Sequence, residues 1–203
     1  ENMKNFIYLL SIFALIAVSC SKQDKSDVLA GWSTYNVTGA PVITRNGKTI
    51  SVEKTSDLRN SDQITTDDSS SLKVRMSDTG VIKIGPSTST TISSLKKGKD
   101  VSMNLKKGKL SLVLGKLKKE QALSVRTPTM VAAVRGTSFM ISSEKGKDSV
   151  AVLTGKVAVK PVAETAAEEI ILAENEFIIA EDGKIGSVQK VNHEIIKQLD
   201  DIK

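Results

Sequence analysis

Cysteine occurs once in this sequence, at position 20, and histidine once, at position 193. A lone cysteine closes no internal disulfide. One imidazole supplies neither a pair of nitrogen ligands for a metal nor an obvious base beside a serine nucleophile. Aromatic residues make up 3% of the chain, too few for the stacking platforms that hold single-stranded nucleic acid. No apolar run reaches the ~18–20 residues that cross a bilayer as a helix. The Gly-Lys pairs at 47, 98, 108, 115, 146, 155 and 183 all lack the G-x-x-x-x-G-K-[ST] frame of a phosphate loop. The acid pairs Asp67-Asp68 and Asp200-Asp201 occupy turn-like and helix-end positions and read as solvated charge. These absences leave no catalytic constellation, and the expectation is a non-enzymatic protein without cofactor, metal or nucleic-acid partner.

What is present begins at the amino end. Lys4 precedes an uncharged run of thirteen residues, Phe6 to Val18, apolar except for Ser11. That fits the apolar region of a secretory signal. Ala17-Val18-Ser19-Cys20 follows directly. It resembles a bacterial lipobox, in the relaxed form seen in spirochaetal lipoproteins. The resemblance implies cleavage before Cys20 and its acylation, which would hold the protein on a membrane. The divisions expected are a signal helix over 1–19, a lipidated tether over 20–34, a β-domain over 35–160 and an extension over 161–203. The expected localisation is the outer membrane, on its periplasmic or outward side.

Between Tyr35 and Val188 the chain alternates apolar and polar residues in short runs. Examples are Ile50/Val52, Leu72/Val74/Met76, Ile82/Ile84, Val101/Met103/Leu105, Leu110/Leu112, Val157/Val159 and Phe177/Ile179. A period of two over so few residues marks half-buried strands. Turn candidates punctuate them: Asn46-Gly47, Asp78-Thr79-Gly80, Gly85-Pro86, Lys97-Gly98, Lys107-Gly108, Gly115, Gly146, Gly155 and Asp182-Gly183. The fold class is all-β, either solenoid-like or a sandwich. Trp32, the one tryptophan, is expected to pack where the tether joins the domain. Asn192 to Ile202 places Ile195, Ile196, Leu199 and Ile202 on one helical face. It is expected to form a short C-terminal helix that covers an open end or edge.

The most apolar long stretch of the domain, Ser124 to Ile141, is interrupted by Pro128 and Gly136. Such a pattern reads as buried strands that turn corners. Val125-Arg126-Thr127-Pro128, with Arg135-Gly136-Thr137 and Phe139, resembles the signature of the FecR-type domain. Ser149 to Val159 is similar to the V-x-x-G-x-V-x-V strand pair that follows it in that family. Leu58 to Thr66 resembles the upstream L-x-x-G-D-x-I-x-T element, with Ser61 where the family has Gly. The likeness covers roughly Val37 to Lys160. Thr127, Pro128, Arg135, Gly136, Thr137 and Phe139 are expected to be structural, Arg135 by bonding turn carbonyls. The best-known members belong to membrane regulators that relay the state of an outer-membrane siderophore transporter to a sigma factor. This sequence shows neither their cytoplasmic part nor their spanning helix. The resemblance therefore implies an envelope β-domain that scaffolds or signals by binding another protein.

One surface signal remains. Residues 96–119 hold nine lysines (Lys96, Lys97, Lys99, Lys106, Lys107, Lys109, Lys116, Lys118 and Lys119) against one acid, Asp100. Glycine-marked lysine turns ten residues apart would stack into a basic ridge. Such a ridge attracts anionic lipid, lipopolysaccharide or sulfated glycans, the basis of an alternative reading as a surface adhesin. The competing reading is a set of solvated turns that discourages edge pairing.

Overall fold

The structure is a computed structural model that describes residues 28–95, 100–115, 122–163 and 168–191. The signal segment, Cys20 and the expected C-terminal helix lie outside these residues. Among the described residues every regular element is a strand, and no helix is long and apolar enough to cross a membrane.

The strands, in chain order, are β1 (Val28–Thr38), β2 (Val42–Arg45), β3 (Lys48–Ser51), β4 (Asp57–Arg59), β5 (Gln63–Thr65) and β6 (Ser71–Met76). Next come β7 (Gly80–Ile84), β8 (Ser89–Leu95), β9 (Asp100–Leu114), β10 (Ala122–Arg126), β11 (Met130–Val134) and β12 (Ser138–Glu144). The last are β13 (Lys147–Thr154), β14 (Val157–Pro161), β15 (Ile170–Leu172), β16 (Glu176–Glu181), β17 (Lys184–Ile185) and β18 (Gln189–Lys190).

Hydrogen bonding sorts them into two layers. One layer runs β4-β1-β6-β7-β9-β12-β13-β16, with β17 and β18 both against β16. The other runs β3-β2-β5-β8-β9-β10-β11-β14-β15. Strand β9 belongs to both and makes the sheet continuous. Its residues Asp100–Lys107 pair in the second layer and Gly108–Leu114 in the first. All pairings are antiparallel except β9 with β10. The chain therefore advances by laying strands, often as hairpins, on alternate layers, an arrangement that is both sandwich-like and wound.

Sequence alternation explains the layers. Ile43, Ile64, Ile92, Met103, Val125, Ala132 and Val159 of one layer join one buried cluster with Leu72, Val74, Ile82, Leu112, Phe139, Ile141 and Val152 of the other. Hairpins close where the turn chemistry allows. Asn46-Gly47, Lys145-Gly146 and Asp182-Gly183 each supply two successive residues of positive φ, the backbone twist that two-residue hairpins need. Trp32 is buried in the core of the first layer. Strand β1 begins at Val28, so the sheet starts within the 20–34 stretch expected to be tether.

Two expectations need correction. Lys107-Gly108 is not a turn: β9 runs through it. In β16 the inward residues are Ile178 and Ala180, both fully buried, while Phe177 and Ile179 point away from the core and Ile179 is exposed. Both phases of β16 are apolar, so alternation alone did not fix its inward side.

Candidate functional site

Most of the family-like residues gather where the chain crosses between layers, while Thr127 and Pro128 turn the β10–β11 hairpin within the second layer, and each such corner poses the same problem. The backbone must leave one ladder and join another, so its polar groups need other partners. Three clusters supply them.

The first lies at the β4–β5 corner. Ser61 sits at φ 67°, in the left-handed region. Asp62 beside it is fully buried. Its carboxylate accepts from Arg45 Nε and Nη2, both at 2.7 Å, and from the Arg59 amide at 2.8 Å. This bidentate pair locks β2 to the corner. The same bonding raises the pKa of Arg45. Four residues on, the buried Thr66 hydroxyl donates to the Gly85 carbonyl at 2.7 Å and accepts from the Thr88 amide at 2.9 Å.

The second cluster surrounds Gly108, where β9 changes layer. Its φ is 95°. A Cβ there would stand 2.3 Å from Thr88 Oγ1 and 2.5 Å from Thr88 Cα. Only glycine allows this approach, in which the Lys109 amide donates to Thr88 Oγ1 at 3.0 Å.

The third holds the Thr-Pro and Arg-Gly-Thr residues. Thr127 is buried, and its amide donates to the Met130 carbonyl at 2.8 Å, closing the turn around Pro128. The neighbouring Thr129 donates to Asp148 Oδ2 from its amide at 2.9 Å and its hydroxyl at 2.6 Å. Asp148 comes from β13 in the other layer, so the carboxylate clips two hairpins across the core. Burial alone would raise the Asp148 pKa. Hydrogen bonding with Thr127, Thr129 and Ser143 outweighs it and holds the carboxyl below its ordinary range.

At the β11–β12 corner, Gly136 has φ 74°. The buried Thr137 hydroxyl donates to the Lys156 carbonyl at 3.1 Å, joining this corner to the β13–β14 corner at Gly155. Phe139 is fully buried in the core. Arg135, by contrast, is exposed at the corner and bonds no turn carbonyl.

Asp148 and Asp62 were not singled out in the sequence as candidate functional residues. The visible signals were Asp62 inside the L-x-x-G-D-like element and Asp148 between a charged turn and an apolar run. Among the described residues no group of three His, Cys, Asp or Glu side chains could hold a metal ion. Asp67, of the first acid pair, accepts from the Ser69 amide and hydroxyl at 3.0 and 2.9 Å. Hydrogen bonds with Ser70 and Ser69 lower its pKa, as expected of a turn former.

Of the nine lysines, only Lys106, Lys107 and Lys109 are among the described residues. They lie along β9 rather than on a turn. The stacked arrangement that the glycan-binding reading required is therefore missing its middle turn.

Residues 62–158 match the profile of the FecR protein family. Among curated proteins, none matches the chain by sequence. Two crystal structures of a candidate anti-sigma factor from Parabacteroides distasonis share the fold, each with a TM-score of 0.56 at 20% identity. The similarity covers 66% of this chain and 62% of that one, so the chain spans about three fifths of the protein it resembles. The Asp62, Thr66, Gly108, Thr127, Gly136, Thr137 and Asp148 corners all fall within the 62–158 stretch that matches the FecR family.

Proposed function

We propose that this chain is a lipid-anchored binding module of the bacterial cell envelope. In this reading it scaffolds or signals through contact with another protein and performs no catalysis. The match of residues 62–158 to the FecR family carries the reading. The family resemblance implies protein contact rather than chemistry. The buried polar residues agree with that: Asp62, Thr66, Thr127, Thr137 and Asp148 all bond backbone or neighbouring side chains at corners. The fold shared with a candidate anti-sigma factor adds a link to signalling.

The anchor rests on Cys20 and the apolar run before it. Fractionation of cells making the full chain or Cys20→Ala tests it. The full chain is expected with the outer membrane and Cys20→Ala in the soluble fraction. Equal partition of the two would remove the anchor. Protease added to intact cells then separates a periplasmic domain, which survives until the outer membrane is opened, from an outward one.

A further inference from the structure

Strand β3 ends the second layer, and its far edge is open. Among the described strands it pairs only with β2, and all four of its residues, Lys48, Thr49, Ile50 and Ser51, are exposed. Ile50 stands directly opposite Ile43, so both point to the inner side of the sheet. Ile43 is 1% exposed there and Ile50 39%. The other ends of the layers are blunter: β4 and β15 have three residues each, and β16 is flanked by β17 and β18. An open edge with an apolar residue is a template for pairing with another chain. The β2–β3 turn fixes which backbone groups face that edge. Across the two-residue turn Asn46-Gly47, Arg45 and Lys48 form a hydrogen-bonded pair, and such pairs alternate from there. Ile43 with Ile50 is the next, and the Val52 amide, donating to the Pro41 carbonyl at 3.3 Å, marks the one after. Thr49 and Ser51 fall between these pairs, so their amides and carbonyls point away from β2.

We propose that the occupant of this edge is a second copy of the chain, β3 against β3, antiparallel, with a twofold axis at Ile50. The strand is complementary to itself in that register. Thr49 of each copy faces Ser51 of the other, so every outward amide and carbonyl of the strand finds a partner. Ile50 meets Ile50 in the non-hydrogen-bonded pair between them, where Cα atoms approach to about 4.5 Å. Both isoleucines lie on the inner side and shield each other. Lys48, the one charge of the strand, faces Val52 of the second copy, so like charges are not opposed. Other registers fit worse. Sliding one pairing step either way sets Thr49 or Ser51 opposite itself and leaves the other beyond the strand's end. A slip of one residue turns the inner side of one copy outward. Four residues a side make less than a standard interface, so the association is weak in dilute solution and is best read by a covalent trap. The inference does not depend on the envelope reading.

Disulfide trapping in cells making the full chain with Cys20→Ser tests it. Under mild oxidation Ile50→Cys should form a disulfide-linked dimer. Thr49→Cys and Ser51→Cys should each stay unlinked alone and join when made together, because like positions lie diagonally, beyond the ~7 Å between Cα atoms that a disulfide spans. Ile179→Cys, 38% exposed on the other layer, measures random encounter. Ser51→Pro removes an outward donor that has no partner among the described residues. It should slow the Ile50→Cys dimer by about tenfold or more, since one hydrogen bond is lost on each side of the axis. An Ile50→Cys dimer forming no faster than that of Ile179→Cys would overturn the proposal. So would a rate indifferent to Ser51→Pro, or Thr49→Cys linking readily to itself. Disulfides from Ile50→Cys to an unlike protein alone would assign the edge to that protein and overturn it too.

Discussion

Ser61 shows how a single residue carries both the resemblance and a departure from it. A left-handed backbone costs an L-residue roughly 1–2 kcal/mol, and the family's glycine would avoid that cost. Ser61→Gly is therefore expected to stabilise the protein by about 1 kcal/mol in thermal or denaturant unfolding. No change would mean that the corner tolerates Ser61 without strain. Thr90 offers a second gain. Its hydroxyl is fully buried without a hydrogen-bond partner, so Thr90→Val should add about 1 kcal/mol. Asp148 is the opposite case. Its Thr129 bonds stabilise the ionised form, and Asp148→Asn should cost roughly 2 kcal/mol. The sign of its pH dependence follows from the lowered pKa. Its contribution is complete above the ordinary carboxyl range and is lost as pH falls through the folded value. Acid unfolding of Asp148→Asn should therefore show a flatter pH dependence than the parent chain. The sequence displayed the corner residues Thr127, Pro128, Gly136 and Thr137, because breakers inside apolar runs stand out. It hid Asp148, because its partner Thr129 lies in another layer, nineteen residues back.

At the scale of elements, β9 holds the lesson. Its alternation, Val101/Met103/Leu105 then Leu110/Leu112, was visible as two strands separated by Lys-Lys-Gly. The structure makes them one strand that changes layer at Gly108. Glycine marked a departure from one ladder, and sequence cannot say whether the chain there reverses or crosses. The register shift between Ser89 and Thr90 against Lys107 and Leu105 marks the same place. Gly108→Ala should cost about 3 kcal/mol or more, because its Cβ meets Thr88 backbone in a left-handed conformation. Lys107→Gln, one residue away and exposed, should stay within about 0.5 kcal/mol of the parent. Similar losses at both positions would mean that the crossing is not the sensitive feature. Strand β16 was phased the wrong way because Phe177 and Ile179 compete with Ile178 and Ala180.

For the whole molecule, all-β class and alternating strands were legible, and so was the stretch that matches a family. The pairing of layers was not, since it depends on contacts far apart in sequence. Function sits at this scale too. With corner residues engaged in holding the fold together, the proposed binding falls to the exposed surface, and the proposed anchor at Cys20 would decide where that surface is presented. The claim most in need of a direct measurement is that this chain works by holding another envelope protein. Photocrosslinking from exposed positions on the two layers, Arg135 and Thr154 among them, in cells making the full chain and in cells making Cys20→Ala, measures it. The account predicts one reproducible protein adduct, formed from a subset of positions and diminished when Cys20→Ala removes the anchor. Adducts absent from every position, or spread evenly over all of them and indifferent to the anchor, would contradict it.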